Sequence, residues 1–139
     1  MDFFKMAYEL RKIANERRTE ASVRVLIVED DETFCAFLTE ILQRQGNEVV
    51  YSTDGLDGYQ KAQSCPYDLI ILDVRMPGLL GTEIAAALKQ QTPSVRIILI
   101  SAFADASLRD TASNLGTLLL SKPFSPADLF QVIDRTTNE

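Results

Sequence analysis

Two groups of acidic residues follow apolar runs of the chain, and together they would form a cation site. Asp73 directly follows the apolar run 69–72, and Glu29, Asp30 and Asp31 directly follow the run 25–28. Such runs predict buried strands, so both acidic groups would lie at carboxyl ends of strands. At an effective dielectric of about 20, two carboxylates ~4 Å apart repel by roughly 4 kcal/mol. The cluster therefore requires a cation or a proton, and its hard oxygen ligands favour Mg²⁺ or Mn²⁺.

Neutralised in this way, Asp73 would be a nucleophile toward phosphorus. A cation bridging Asp30 and Asp73 would cancel charge as a phosphoryl group arrives, and Asp73 would then form an aspartyl phosphate. Ser101 and Lys122 also follow apolar runs near the ends of strands. The Lys122 ammonium can neutralise one phosphoryl oxygen, and the Ser101 hydroxyl can donate a hydrogen bond to another.

The elements that must bring these residues together alternate between strands and helices. The predicted strands are residues 23–28, 49–51, 69–72, 95–100 and 117–120, of which 49–51 suits a sheet edge. The segments between them carry apolar residues three and four positions apart, which is typical of helices. Short crossovers form right-handed βαβ units, so we expect an α/β fold with a doubly wound five-stranded parallel sheet. The flavodoxin-like order 2-1-3-4-5 makes strands 1 and 3 neighbours, so Glu29, Asp30 and Asp73 would share one crevice.

Composition limits the class of protein. The 139 residues are 46% hydrophobic and 24% charged, as in an ordinary globular domain. The net charge of −6 argues against direct binding to nucleic acid or to an anionic membrane. The chain has no histidine, and its two cysteines, Cys35 and Cys65, lack metal-ligand spacing. We therefore expect a cytoplasmic protein without a membrane span, in which both cysteines are ordinary helix residues.

We divide the chain into an N-terminal helical extension, residues 1–22, and one main domain, residues 23–139. In the extension, Phe3, Met6, Leu10 and Ile13 recur on one helical face. This stripe is too short for a stable isolated coiled coil, so docking on the main domain or fraying is favoured. A homodimer through the extension remains an alternative.

The main domain resembles the receiver domain of bacterial two-component response regulators, in the stand-alone form of the chemotaxis regulators. The matching motifs, over roughly residues 23–135, are 25–31, Asp73 with Met76-Pro77-Gly78 and Gly81, Ser101-Ala102, and Lys122-Pro123-Phe124. The resemblance implies that the phosphohistidine of a histidine kinase gives its phosphoryl group to Asp73. Ser101 would be the switch hydroxyl, and Lys122 the phosphate-binding lysine, joined to Pro123 by a cis bond. The implied Mg²⁺ ligands are Asp30, Asp73 and the backbone carbonyl of Arg75, with Glu29 acting through water.

A receiver domain is a signalling module and not an enzyme, because it catalyses only its own phosphorylation and dephosphorylation. No output domain follows Glu139 in this sequence, so we expect the signal to pass to a separate, unidentified partner protein. A phosphorelay role, with transfer to a histidine phosphotransfer protein, is the first alternative. A dehalogenase-type Mg-dependent phosphatase is disfavoured, because it needs a second acid where this chain has Arg75. A flavodoxin-type FMN site would need a Ser/Thr/Gly-rich loop in place of residues 29–31.

One position departs from the family pattern, and two others carry bulky residues that would affect the lifetime of the phosphoryl group. The family usually has an aromatic residue three positions before the lysine, where this chain has Leu119, so switching would use other elements. Arg75 and Phe103 lie two residues after the phosphoacceptor and the switch serine, where the family's residues influence phosphoryl lifetime. Their bulk predicts slow autodephosphorylation. Asp31, by contrast, is expected to cap the helix that begins near Thr33.

Overall fold

A computed structural model describes residues 3–6, 8 and 23–137. Within this part of the chain, five parallel strands form one sheet in the order β2-β1-β3-β4-β5. The strands are β1 (Arg24–Val28), β2 (Glu48–Ser52), β3 (Leu69–Asp73), β4 (Ile97–Ser101) and β5 (Leu118–Ser121). The helices are α1 (Glu32–Arg44), α2 (Gly55–Ser64), α3 (Gly81–Gln91), α4 (Ala106–Leu115) and α5 (Pro126–Thr137). The predicted flavodoxin-like order and the edge position of the second strand are confirmed.

Three strands begin later than predicted: β1, β4 and β5 start at Arg24, Ile97 and Leu118, against predicted starts at residues 23, 95 and 117. Val23 and Val95 lie just before β1 and β4, yet both pack against the hydrophobic core. Their burial therefore comes from core packing outside the strands, which a sequence pattern cannot separate from strand pairing.

The core consists of two layers, one on each face of the sheet. Val25 and Ile27 of β1 face the layer that includes residues of α1 and α5, such as Leu38 and Leu129. The alternate residues of β1 face the other layer, which includes residues of α2, α3 and α4. Because helices cover both faces, every residue of β1, β3 and β4 is buried, and all of them are apolar except Arg24, Asp73 and Ser101.

Two apolar residues on the helices lie outside the core. Phe37 in α1 and Leu56 in α2 belong to segments with apolar residues three and four positions apart, but they are 42% and 56% exposed. The side of α1 that faces the core carries Cys35, which is buried, and the corresponding side of α2 carries Gly58, which is also buried. A Cβ atom at Gly58 would come within 2.6 Å of Val28 Cγ2, so α2 lies too close to the sheet for a larger side chain.

The helix boundaries follow local capping. Asp31 accepts a hydrogen bond from the Phe34 backbone N–H and caps α1, as predicted. At α5, Ser125 Oγ accepts from the Asp128 N–H, and the Asp128 carboxylate accepts from the Ser125 N–H. This reciprocal pair fixes the start of α5 directly after the loop that carries Lys122.

The extension is described only at residues 3–6 and 8, which are helical. Phe3 and Met6, two members of the predicted stripe, are exposed, while Leu10 and Ile13 lie outside the described residues. Tyr8 lines a cavity of about 590 Å³ together with Asp68 and Arg96. Asp68 lies directly before β3, and Arg96 lies directly before β4. None of the described helices is both long enough and apolar enough to cross a membrane.

Candidate functional site

Three carboxylates meet where β1 and β3 end. Val28 pairs with Leu72 in the parallel register, so Glu29, Asp30 and Asp73 emerge at the same edge of the sheet. One carboxylate oxygen from each of the three residues lies within 4.8 Å of the other two. Glu29 and Asp73 are only 1% and 6% exposed, whereas Asp30 is exposed to solvent. The structure thus brings together the three acids that the strand pattern predicted, in a site that opens on the Asp30 side.

Lys122 supplies the positive charge in this crevice. Its Nζ atom lies 3.1 Å from Glu29 Oε2 and 3.8 Å from Asp73 Oδ1. Burial and the charge of Asp73 raise the pKa of Glu29 to about 7, against the lowering effect of Lys122. Burial also raises the pKa of Asp73, and Lys122 again opposes the shift. One ammonium group therefore does not fully compensate the buried carboxylates, and a cation would stabilise their charged forms.

The donor set fits Mg²⁺ or Mn²⁺. All three groups that converge are carboxylates, which are hard oxygen ligands. The nearby Cys35 thiol is directed elsewhere, since it donates to the Glu29 carbonyl at 3.1 Å. Burial, together with the charge of Glu29, raises the pKa of that thiol to about 11, so it stays protonated. The site therefore has no thiolate ligand from Cys35.

The backbone around Asp73 is tightly packed against the start of α3. The Val74 N–H donates to the Ile100 carbonyl at 2.9 Å, and the Gly81 N–H donates to the Val74 carbonyl at 2.8 Å. A Cβ atom on Gly81 would overlap the backbone oxygen of Asp73. Only glycine permits this approach, so Gly81 fixes the position of the loop that follows Asp73.

Ser101 and Lys122 complete the crevice from β4 and from the segment after β5. Ser101 is buried, and its hydroxyl accepts a hydrogen bond from the Phe103 N–H at 3.0 Å. The Lys122 N–H donates to the Ser101 carbonyl at 2.8 Å, which joins the two segments. The Lys122-Pro123 peptide bond is cis. Ser101 also lines a cavity of about 170 Å³ with Arg75 and Phe103.

Two aromatic contacts in the crevice were not expected from the sequence. The Lys122 ammonium lies over the ring of Phe34, 4.5 Å from its centroid. The Arg75 guanidinium lies 5.8 Å from the centroid of the Phe103 ring. The sequence argument joined Arg75 and Phe103 through their bulk, but it did not predict that their side chains meet. The Phe34 ring also meets the Phe124 ring edge to face, with the two centroids 5.7 Å apart.

Sequence comparisons agree with this geometry. The family model of the response regulator receiver domain matches residues 25–134. The response regulator receiver protein CpdR of Brucella abortus is 32% identical over 113 residues, which cover 81% of this chain and 94% of CpdR. The uncharacterized transcriptional regulatory protein YbdJ of Bacillus subtilis is 37% identical over 106 residues. That match covers 76% of this chain but 47% of YbdJ, so the chain spans about half of that relative's length.

Two solved structures of response regulator proteins share the fold of this chain. The chemotaxis protein CheY4 of Vibrio cholerae is 29% identical, with a TM-score of 0.78 over 84% of this chain and 99% of CheY4. The response regulator TrrA of Thermotoga maritima, in complex with Mg²⁺ and BeF, is 28% identical with a TM-score of 0.74. That likeness covers 81% of this chain and 97% of TrrA.

Proposed function

Because this chain belongs to the family of response regulator receiver domains, we propose that it accepts a phosphoryl group on Asp73 and signals to a separate protein. One observation carries the proposal. Three carboxylates and the Lys122 ammonium converge at the carboxyl ends of neighbouring strands, with Asp73 among them. This arrangement combines a nucleophile with the groups that neutralise a phosphoryl oxygen.

The phosphoryl donor is the phosphohistidine of a histidine kinase or of a histidine phosphotransfer protein. An oxygen of Asp73 bonds to phosphorus as the phosphorus–nitrogen bond to the donor histidine breaks. Lys122 then neutralises one oxygen of the transferred group, and the Ser101 hydroxyl donates to another. Because the transition state of phosphoryl transfer is loose, positioning and charge neutralisation supply most of the catalysis.

Asp30, Asp73 and the backbone carbonyl of Arg75 would hold Mg²⁺, with Glu29 bonding through a water molecule. The bound ion would supply charge neutralisation for the carboxylates and the incoming phosphoryl group. The donor chemistry of the three carboxylates supports this assignment, and TrrA is a relative whose complex contains Mg²⁺. The Lys122 ammonium, 3.1 Å from Glu29 Oε2 and 3.8 Å from Asp73 Oδ1, would supply a further positive charge beside the phosphoryl group.

The partner proteins follow from this chemistry. A histidine kinase or phosphotransfer protein supplies the phosphoryl group, and a separate output protein recognises the phosphorylated domain. We also propose that residues 1–22 form an appendage to the receiver domain, since the family match begins at residue 25. Both cysteines are buried, and neither forms a disulfide bond within the described residues, which supports a function in the reducing cytoplasm.

Intact-mass spectrometry after incubation with acetyl phosphate and Mg²⁺ tests the proposal. Wild type should gain the mass of one phosphoryl group, and Asp73→Asn should gain none. Asp110→Asn is the matched control, because Asp110 is an exposed aspartate on α4 and should leave the gain unchanged. Absence of the gain in wild type, or its persistence in Asp73→Asn, would contradict the proposal.

A further inference from the structure

We infer that Phe34 is a positioning residue for Lys122, which its ring holds at the crevice within reach of a phosphoryl group on Asp73. The inference rests on the proposed function, because it assigns Lys122 to the phosphoryl group. It adds to that function a residue of α1 that carries no charge and is not part of the acidic cluster.

The Lys122 ammonium is held from several sides. Its Nζ atom lies 3.1 Å from Glu29 Oε2, 3.8 Å from Asp73 Oδ1 and 4.5 Å from the centroid of the Phe34 ring. The two carboxylates change their charge environment when a cation or a phosphoryl group arrives. The face of the ring keeps its partial negative charge throughout, so it is the constant partner of the ammonium.

The ring of Phe34 is itself fixed in place. The Phe34 backbone N–H donates to Asp31 Oδ1 at 3.1 Å, which places it in the capped first turn of α1. The edge-to-face contact with Phe124, at an interplanar angle of 83°, joins the ring to the same loop that carries Lys122. The Phe34 ring therefore links α1 to the loop after β5, and the Lys122 ammonium lies over the face of this ring.

This geometry limits the freedom of a long side chain. Lysine has a flexible four-carbon stem and loses much rotamer freedom when its ammonium is held in one position. The Lys122 side chain is 23% exposed, so solvent competes for the ammonium. By occupying one side of the ammonium, Phe34 keeps the charge directed toward Glu29 and Asp73 and reduces the reorganisation required at phosphoryl transfer.

Phe37 provides a matched control on the same helix. Its ring contacts that of Phe34 with centroids 6.1 Å apart, and its side chain is 42% exposed. A Phe37→Leu variant removes a ring of the same size from the neighbouring position while leaving the ring beneath Lys122 in place. Phe34→Leu removes the ring beneath the ammonium, and Phe34→Tyr restores an aromatic face.

The first measurement is the initial rate of phosphorylation by acetyl phosphate in excess Mg²⁺, followed by intact mass. Phe34→Leu should lower this rate by about three- to tenfold, the range expected for loss of a partly exposed cation–π contact. Phe37→Leu and Phe34→Tyr should stay within about twofold of wild type. A wild-type rate in Phe34→Leu, or an equal loss in Phe34→Leu and Phe34→Tyr, would overturn the inference.

The second measurement reports the contact without any phosphoryl group. The NMR signal of the Lys122 ε-methylene, assigned by its loss in Lys122→Arg, should be shifted upfield in wild type by the ring current of Phe34. The shift should persist in Phe37→Leu and disappear in Phe34→Leu. An unshifted signal in wild type would overturn the inference even if Phe34→Leu fails to fold. If wild type is phosphorylated and the signal is unshifted, the inference alone fails; if wild type is not phosphorylated, the proposed function fails.

Discussion

The backbone N–H of Phe103 donates to Ser101 Oγ at 3.0 Å, so the buried hydroxyl is bonded directly to the loop that follows β4. The Phe103 side chain is 69% exposed and lies against the Arg75 guanidinium from the loop after β3. Any reorientation of the Ser101 hydroxyl toward a phosphoryl group would change this hydrogen bond. We propose that the loop that carries Phe103 would respond to a movement of Ser101, which would be a route for switching that does not require an aromatic residue at Leu119.

Replacing Arg75 or Phe103, whose side chains contact each other, should shorten the lifetime of the phosphorylated protein. Arg75 and Phe103 line one small cavity together with Ser101, so we expect their bulk to limit the access of water to a phosphoryl group on Asp73. We expect Arg75→Ala and Phe103→Ala each to speed autodephosphorylation by about three- to tenfold, and the double variant to show less than the product because the side chains act together. The decay of the phosphorylated mass after removal of the donor measures this rate.

Arg109→Ala is the control for that series, because Arg109 is an exposed arginine on α4. Its decay rate should match wild type. Wild-type decay within seconds, or unchanged decay in both single variants, would show that the pair does not shield the acyl phosphate.

Glu29 should make the metal-free protein less stable as the pH rises. Its pKa is about 7 in the folded protein against 4.5 as the reference value, so the folded state keeps a proton that the unfolded state has lost. The stabilisation from that proton is fully present below about pH 4.5 and is lost as the pH rises through about 7. Relative to Glu29→Gln, the unfolding free energy of wild type should fall by on the order of 2 kcal/mol across this window.

Urea unfolding in the presence of a chelator, at several pH values, checks the prediction. Excess Mg²⁺ should weaken the decline in wild type, because metal binding favours the ionised carboxylates. Parallel curves for wild type and Glu29→Gln without metal would mean that Glu29 ionises normally in the folded protein.

Gly81→Ala should disturb both stability and phosphorylation. The added methyl group would overlap the backbone oxygen of Asp73, so α3 or the loop after β3 must shift. We expect the unfolding free energy to fall by about 1–3 kcal/mol, as in other overpacked sites, together with a slower gain of phosphoryl mass.

Gly78→Ala is the control for Gly81→Ala, because it introduces backbone strain without displacing Asp73. Gly78 has a φ of 85°, but a Cβ there would meet nothing within 4 Å. This variant should lose about 1–2 kcal/mol from its left-handed backbone and retain the wild-type phosphorylation rate. Equal rates in Gly81→Ala and wild type would show that the close approach to Asp73 does not position it.

The strand order and the acidic crevice could be predicted because they depend on local patterns. Apolar runs that end in acids identify parallel strands covered on both faces, and the topology then places Glu29 and Asp73 at one edge. The cap at Asp31 depends only on residues within one helical turn. Each of these features is encoded by neighbouring residues together with a general rule of parallel sheets.

The contacts between distant side chains could not be predicted in the same way. Lys122 reaches Glu29 across 93 positions of the chain and lies over Phe34 at the same time, which depends on the packing of α1 against the loop after β5. The exposure of Leu56 likewise follows from the close approach of α2 to Val28 at Gly58. Periodicity identifies a helical face, but not how closely that face approaches the sheet.

Reductive trapping of the phosphorylated protein tests the central claim most directly. Wild type is phosphorylated by a phosphohistidine protein in Mg²⁺, treated with borohydride, digested and sequenced by tandem mass spectrometry. An acyl phosphate on Asp73 is reduced to homoserine, so homoserine should replace aspartate at position 73 and at no other acidic position. An unmodified Asp73, with homoserine at Asp30 or elsewhere, would contradict the assignment of Asp73 as the phosphoacceptor.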